Sequence, residues 1–181
     1  MRRSKGFTLA ELLIGMAILG VIATFTIVKL IGSQQTSSYN AQAHEIAAMI
    51  TSAYQKAQND GIITSSTTPA ALRPYINYLT YDTSGLVINT LTCNNSSPCI
   101  WLHNGGLLWF SNYNFAGTSN LNAIEFHFIP NARSSPPPSG VQFDLYFNGF
   151  ITTRGQVKVG TTSSCCSYGP LPAADPSWFS W

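Results

Sequence analysis

The sequence predicts an α+β protein in which one long N-terminal helix, a membrane stem continuing into a packing spine, carries a small antiparallel β-sheet head. Three observations predict it. An unbroken apolar run opens the chain, a 3-4 apolar stripe follows, and the second half alternates short strand-forming runs with turn signals. The 181 residues suit one domain, and 45% hydrophobic residues with 22 aromatics can form a packed core. Charged residues are only 9%, against roughly 25% in ordinary soluble domains. Ser, Thr and Asn supply 50 residues, so the surface is mostly neutral hydroxyl and amide, as suits an exported protein.

The stem comes first. Arg2, Arg3 and Lys5 make residues 1–6 basic, and residues 7–28 contain Glu11 as their only ionisable side chain. As a helix those 22 positions span about 33 Å, enough to cross a hydrocarbon core of about 30 Å. The positive-inside rule puts the basic end in the cytoplasm and everything after Lys29 on the far side. A conventional secretory signal predicts an apolar stretch of about 7–15 residues, no acid in it and a small-x-small site after it. This run is longer, holds Glu11 and continues as a helix. A plain uncleaved anchor is the other alternative.

The segment GFTLAELLIG, Gly6 to Gly15, resembles the leader junction of type IV pilins and type II secretion pseudopilins. Their pattern is a short basic leader, Gly, an aromatic or apolar residue, and Glu five places into the mature chain. The resemblance implies cleavage between Gly6 and Phe7 by a prepilin peptidase, N-methylation of Phe7, and an assembly role for Glu11. Gly20 falls where many members have a helix-loosening glycine. Val28 stands where many have a proline, and the first proline of the chain is Pro69, which leaves the stem straighter. The likeness covers about 25 residues and is silent on the head.

Glu11 has a chemical reading of its own. A carboxylate within an inserted helix costs about 2.5–3.5 kcal/mol and is usually paired. Without the leader, no basic side chain lies within four residues of Glu11, so its own helix offers no partner. Cleavage creates an amine at Phe7, which reaches the depth of Glu11 only on a neighbouring subunit shifted along the axis. A staggered assembly thus satisfies the acid where a monomer does not. The simpler alternative has Glu11 snorkelling to the headgroups.

Tyr39, Ala43, Ile46, Ile50, Ala53 and Ala57 recur at spacings of 3 and 4, one stripe of a helix that buries against a sheet. Asp60-Gly61 terminates it, Gly serving as the left-handed residue. The expected helix runs over residues 7–59, roughly 80 Å. Residues 62–92, rich in Thr, Ser, Asn and Tyr, read as a connecting loop with a short helix near 69–79 and a first strand at 86–91. Further strands are expected at 99–103 and 107–110, around the turn Asn104-Gly105-Gly106, and at 124–128. The strongest hairpin is 141–147 with 150–154, joined by Asn148-Gly149 as a type I′ turn. Val141, Phe143, Leu145 and Phe147 would face the spine. Residues 134–140, with three consecutive prolines, predict a stiff exposed loop.

Cys93, Cys99, Cys165 and Cys166 all lie on the expected outer side, where an even count is consistent with two disulfides. Three pairings are open. Cys93 with Cys99 closes a small loop but leaves a vicinal pair, whereas cross-pairing to the tail avoids that geometry. The spacings do not match a zinc knuckle, and no metal ligands or cofactors are expected. His44 and His103 read as surface residues and His127 as lying on the polar side of a strand. Asp82, Glu125, Asp144 and Asp175 form no paired-carboxylate motif, and no nucleophile elbow or phosphate loop is present, so no catalytic residues are expected. From Ser33 onward five basic residues face six acidic ones; without a basic face, nucleic-acid binding is disfavoured. The aromatic tail with Trp178, Phe179 and Trp181 docks on the core or contacts another subunit.

The expected organisation is thus a leader at 1–6, a transmembrane and filament-core helix at 7–31, an amphipathic spine at 32–60 and an extracytoplasmic head at 61–181. The resemblance implies a structural, non-enzymatic subunit of a type IV pilus-like or type II secretion filament. Its partners would be the prepilin peptidase, other pilin subunits and an inner-membrane assembly platform. It would start as a single-pass protein of the bacterial inner membrane with its head in the periplasm, then join an extracellular or periplasmic filament. A monomeric, membrane-anchored binding module is the alternative.

Overall fold

The computed structural model describes residues 8–116, 123–135 and 137–154. It is an α+β structure. Helix α1 spans Leu9–Asn59, and the chain divides into two compact units, Met1–Ser37 and Ser38–Trp181. The first unit is helical from Leu9 onward. In the second, the helix ends in a full Schellman motif: Gly61, at φ +72°, donates to the Gln58 carbonyl at 3.0 Å and Ile62 donates to that of Ala57 at 3.1 Å.

A six-stranded antiparallel sheet forms the head, in the order β1 (Thr80–Asp82), β4 (Cys99–Trp101), β5 (Leu107–Phe110), β6 (Ala123–Ile129), β7 (Val141–Tyr146), β8 (Ile151–Arg154). A 3-10 helix at Pro69–Tyr75 leads into it. Ala43, Ile46, Ile50, Ala53 and Ala57 of the stripe are buried and Tyr39 packs at its margin. They share one core with Leu108, Phe110, Ile124, Phe126, Phe128, Phe143 and Leu145 from alternate strand positions. Tyr54, absent from the expected stripe, is buried as well; its hydroxyl donates to the Phe147 carbonyl across the core. Burial pushes the Tyr54 phenol above its ordinary pKa.

Several local expectations are overturned. The strand expected at 86–91 is broken by Asn89 and Thr90, both at positive φ (48° and 73°), into β2 (Val87–Ile88) and β3 (Leu91–Thr92) of a two-residue hairpin. The strand that joins the main sheet is β1, within a stretch read as loop. Strand β4 ends at Trp101: Leu102 donates to the Gly106 carbonyl at 2.9 Å to close the hairpin, and the chain then turns at Gly105, φ +80°, which donates to the Leu102 carbonyl at 3.1 Å. At the β7–β8 turn only Gly149 has positive φ, at 85°, and Tyr146 donates to the Phe150 carbonyl at 2.8 Å. Asn148-Gly149 therefore ends a three-residue loop rather than forming a type I′ turn. The extra residue turns Phe147 outward, 51% exposed, while Val141, Phe143 and Leu145 stay buried. Pro138, Ser139 and Gly140 are buried rather than exposed; the Pro138 carbonyl accepts from Asn89 Nδ2 at 2.9 Å.

The face of the sheet away from the helix carries a second, smaller core of Ile88, Cys93, Cys99, Leu107, Ile129 and Ala132 beneath the β2–β3 hairpin. Trp109 Nε1 donates to the Thr92 carbonyl at 3.0 Å and fastens the hairpin to the sheet.

Candidate functional site

The first unit presents its apolar side chains to the outside. Leu9, Leu12, Leu13, Ile14, Met16, Ile18, Leu19, Val21 and Ile22 are all more than half exposed. Their positions run right round the helix rather than along one stripe, the pattern of a segment that is covered on every side. Thr24 and Thr26 turn their hydroxyls back onto the Val21 and Ile22 carbonyls at 2.7 and 2.6 Å. Their polar groups are thereby satisfied without water. Among the described residues no helix is long and apolar enough to cross a membrane. The side chains of Phe25 and residues 27–32, in and beyond the apolar run, lie outside the described ones.

Glu11 sits in the first turn of α1. Thr8 donates to Glu11 Oε2 twice, from its backbone N–H and from Oγ1, both at 2.9 Å, and the Glu11 N–H donates back to Thr8 Oγ1 at 3.3 Å. This is a reciprocal capping box. The helix therefore offers Glu11 no counter-charge but does offer hydrogen bonds, a correction to the reading that it offers no partner. The Thr-x-x-Glu spacing of this box stands in the sequence at Thr8 and Glu11. Gly6 and Phe7 lie outside the described residues.

In the head, Cys93 is bonded to Cys99, with Cα atoms 5.3 Å apart. Both are fully buried. Cys165, Cys166, Asp175 and the aromatic tail lie outside the described residues. His44 and His103 are exposed. His127, expected on a polar face, is buried edge-on to Trp109, with ring centroids 5.0 Å apart. Alternation placed it correctly on the face away from the helix; the packing of that face could not be read from one strand.

Tertiary pairing also brings Glu125 directly opposite Asp144 on β6 and β7, two acids far apart in the chain. Asp144 is fully buried and accepts from Gln142 Nε2 at 2.8 Å. Asp82, at the other end of the sheet, accepts from the Ser84 N–H and Oγ at 2.8 and 2.7 Å, which hold its carboxyl below the ordinary value. Among the described residues no group of three or more His, Cys, Asp or Glu side chains could hold a metal ion.

Comparison with known proteins places the informative similarity at the amino terminus. Residues 1–27 match the family described as the prokaryotic N-terminal methylation motif, which is characteristic of type IV pilins and pseudopilins. No curated protein and no solved structure gives a match.

Proposed function

We propose that this chain is a structural subunit of a type IV pilus-like or type II secretion pseudopilus filament. The observation that carries the reading is the methylation motif over residues 1–27, which contains both Glu11 and the apolar side chains that the first unit leaves exposed. Residues 1–6 are the leader, prepilin peptidase cuts between Gly6 and Phe7, and Phe7 is N-methylated. Residues 7–31 first anchor the precursor in the inner membrane with the head in the periplasm. They then form the filament core against the same segments of other subunits, with the assembly platform driving the transfer. Residues 32–60 are the spine and 61–181 the head displayed on the filament.

Electrostatics supports this reading. The Thr8 hydrogen bonds bring no counter-charge to the Glu11 carboxylate, and in an apolar filament core a carboxylate still needs a cation. The amine of Phe7 on a staggered neighbour supplies it. Glu11 therefore sets the register, while the surrounding leucines and isoleucines supply the contact area.

The capping box favours a second reading, a monomeric membrane-anchored module in which Thr8 alone satisfies Glu11. Glu11→Gln separates the two, because it keeps an oxygen that accepts from Thr8 and removes the charge. In the cells that make the protein, Glu11→Ala and Glu11→Gln are both expected to be cleaved normally, by intact-mass and N-terminal analysis, and both to lose filaments by electron microscopy. Filaments of normal number and length from Glu11→Gln would refute the charge pairing. A mature chain that retains Met1 would refute the processing.

A further inference from the structure

We propose that Asn94, the first residue of the loop closed by Cys93–Cys99, is an acceptor for N-linked oligosaccharide. The chain holds 13 asparagines, and only Asn94 and Asn95 begin an Asn-x-Ser/Thr triplet: Asn94-Asn95-Ser96 and Asn95-Ser96-Ser97. Both triplets lie inside this one loop. Its base is fixed by the buried Cys93 and Cys99, while Asn94, Asn95 and Ser96 are exposed.

Local geometry chooses between the two. Asn94 Oδ1 accepts from the Ser96 N–H at 2.9 Å and from the Ser97 N–H at 2.8 Å, an Asx turn centred on the first triplet. Two N–H donors on the amide oxygen draw electron density from the amide nitrogen and raise the acidity of its protons. Among the described residues Asn94 Nδ2 makes no hydrogen bond, and Ser96, which supplies the hydroxyl two residues on, is open to solvent. The second triplet ends on Ser97, which is buried and followed by Pro98. That hydroxyl is out of reach of a transferase.

The donor class is an oligosaccharide linked through its anomeric carbon to a polyprenyl pyrophosphate. Asn94 Nδ2 attacks that carbon, the C–N bond forms as the C–O bond to pyrophosphate breaks, and the lipid pyrophosphate departs. The amide proton passes to a base of the oligosaccharyltransferase. The inference needs the head to be on the outer side of the membrane and does not need a filament.

The test uses full-length protein isolated from the membranes and surface of the cells that naturally make it. Peptides covering residues 93–99 are treated with a glycan-releasing amidase in heavy-oxygen water and read by mass spectrometry. Labelled aspartate at position 94 is expected. Asn94→Gln and Ser96→Ala should each abolish the modification, whereas Ser96→Thr and Asn95→Gln should retain it. Ser96→Ala keeps the backbone N–H that Asn94 accepts from, and a non-reducing peptide map checks that Cys93–Cys99 remains closed. An unmodified wild-type peptide, or sugar on Asn95 or on a serine hydroxyl, would overturn the proposal. Leader removal is read on the same sample, so a trimmed but unmodified chain fails this proposal alone, and a modified chain retaining Met1 fails only the processing step.

Discussion

The two halves of helix α1 use similar aliphatic residues for opposite ends. In residues 9–22 the large apolar side chains lie on all sides and are exposed. In residues 43–57 they form one stripe and are buried, down to 0% for Ile50 and Ala57. A stripe can be covered by the sheet of the same chain, because a sheet offers one flat face. A helix apolar all round needs covering from every direction, which lipid or other helices provide. The distribution of apolar residues, rather than their number, separates a segment that completes a fold from one that builds an assembly.

Substitution of an equivalent side chain in each half should give the largest contrast. Ile50→Ala is expected to destabilise the head by about 2–4 kcal/mol through lost burial and a residual cavity. Denaturant unfolding of detergent-solubilised protein, followed by Trp101 and Trp109 fluorescence, measures it. Ile14→Ala should leave that transition within about 0.5 kcal/mol while reducing filament yield. Equal losses of head stability would erase the distinction between the halves.

A smaller effect tests whether the head's stability is independent of the stem. Replacing Cys93 and Cys99 by Ser opens a short loop, with a chain-entropy cost of about 2 kcal/mol. The same unfolding assay should register it with filament number unchanged. Loss of filaments at unchanged head stability would show that the loop belongs to assembly.

The smallest effect lies at the end of the buried half. Tyr75 donates to Asp60 Oδ2 at 2.5 Å, and the carboxylate raises the phenol above its ordinary pKa of 10.0, first through that hydrogen bond. A raised pKa means a contribution fully present below the unfolded value and lost as pH rises through the folded one. The wild type should therefore lose slightly more stability than Tyr75→Phe between pH 9 and 11, by denaturant midpoint. Identical pH profiles would remove the hydrogen bond from the account. Asp60 is exposed and Tyr75 only partly buried, so the difference is small.

Most elements were legible because their signals are local. The stripe from Ala43 to Ala57, the end of the helix at Asp60-Gly61, and strands β5, β6 and β7 follow from periodicity and turn chemistry within a dozen residues. The errors cluster where a distant partner decides. Asn89 and Thr90 form a turn in a run that reads as strand, and Thr90 sits at a φ that β-branched residues avoid. Tyr54 neighbours the stripe yet enters the core, where its hydroxyl meets Phe147 in the far hairpin. At the candidate site the charge logic of Glu11 is legible in the sequence, whereas its Thr8 partner is a neutral hydroxyl that a count of charges does not register.

The sequence by itself determined the methylation motif, the position of Glu11 and the change from all-round to one-sided apolarity along α1, because each is a property of neighbouring residues on one helix. Tertiary structure alone decided that Cys93 meets Cys99, that Glu125 faces Asp144, and that His127 is buried against Trp109. These are contacts between segments whose mutual register is set by packing the whole sheet, and no local pattern in one strand specifies which residue lies across from it.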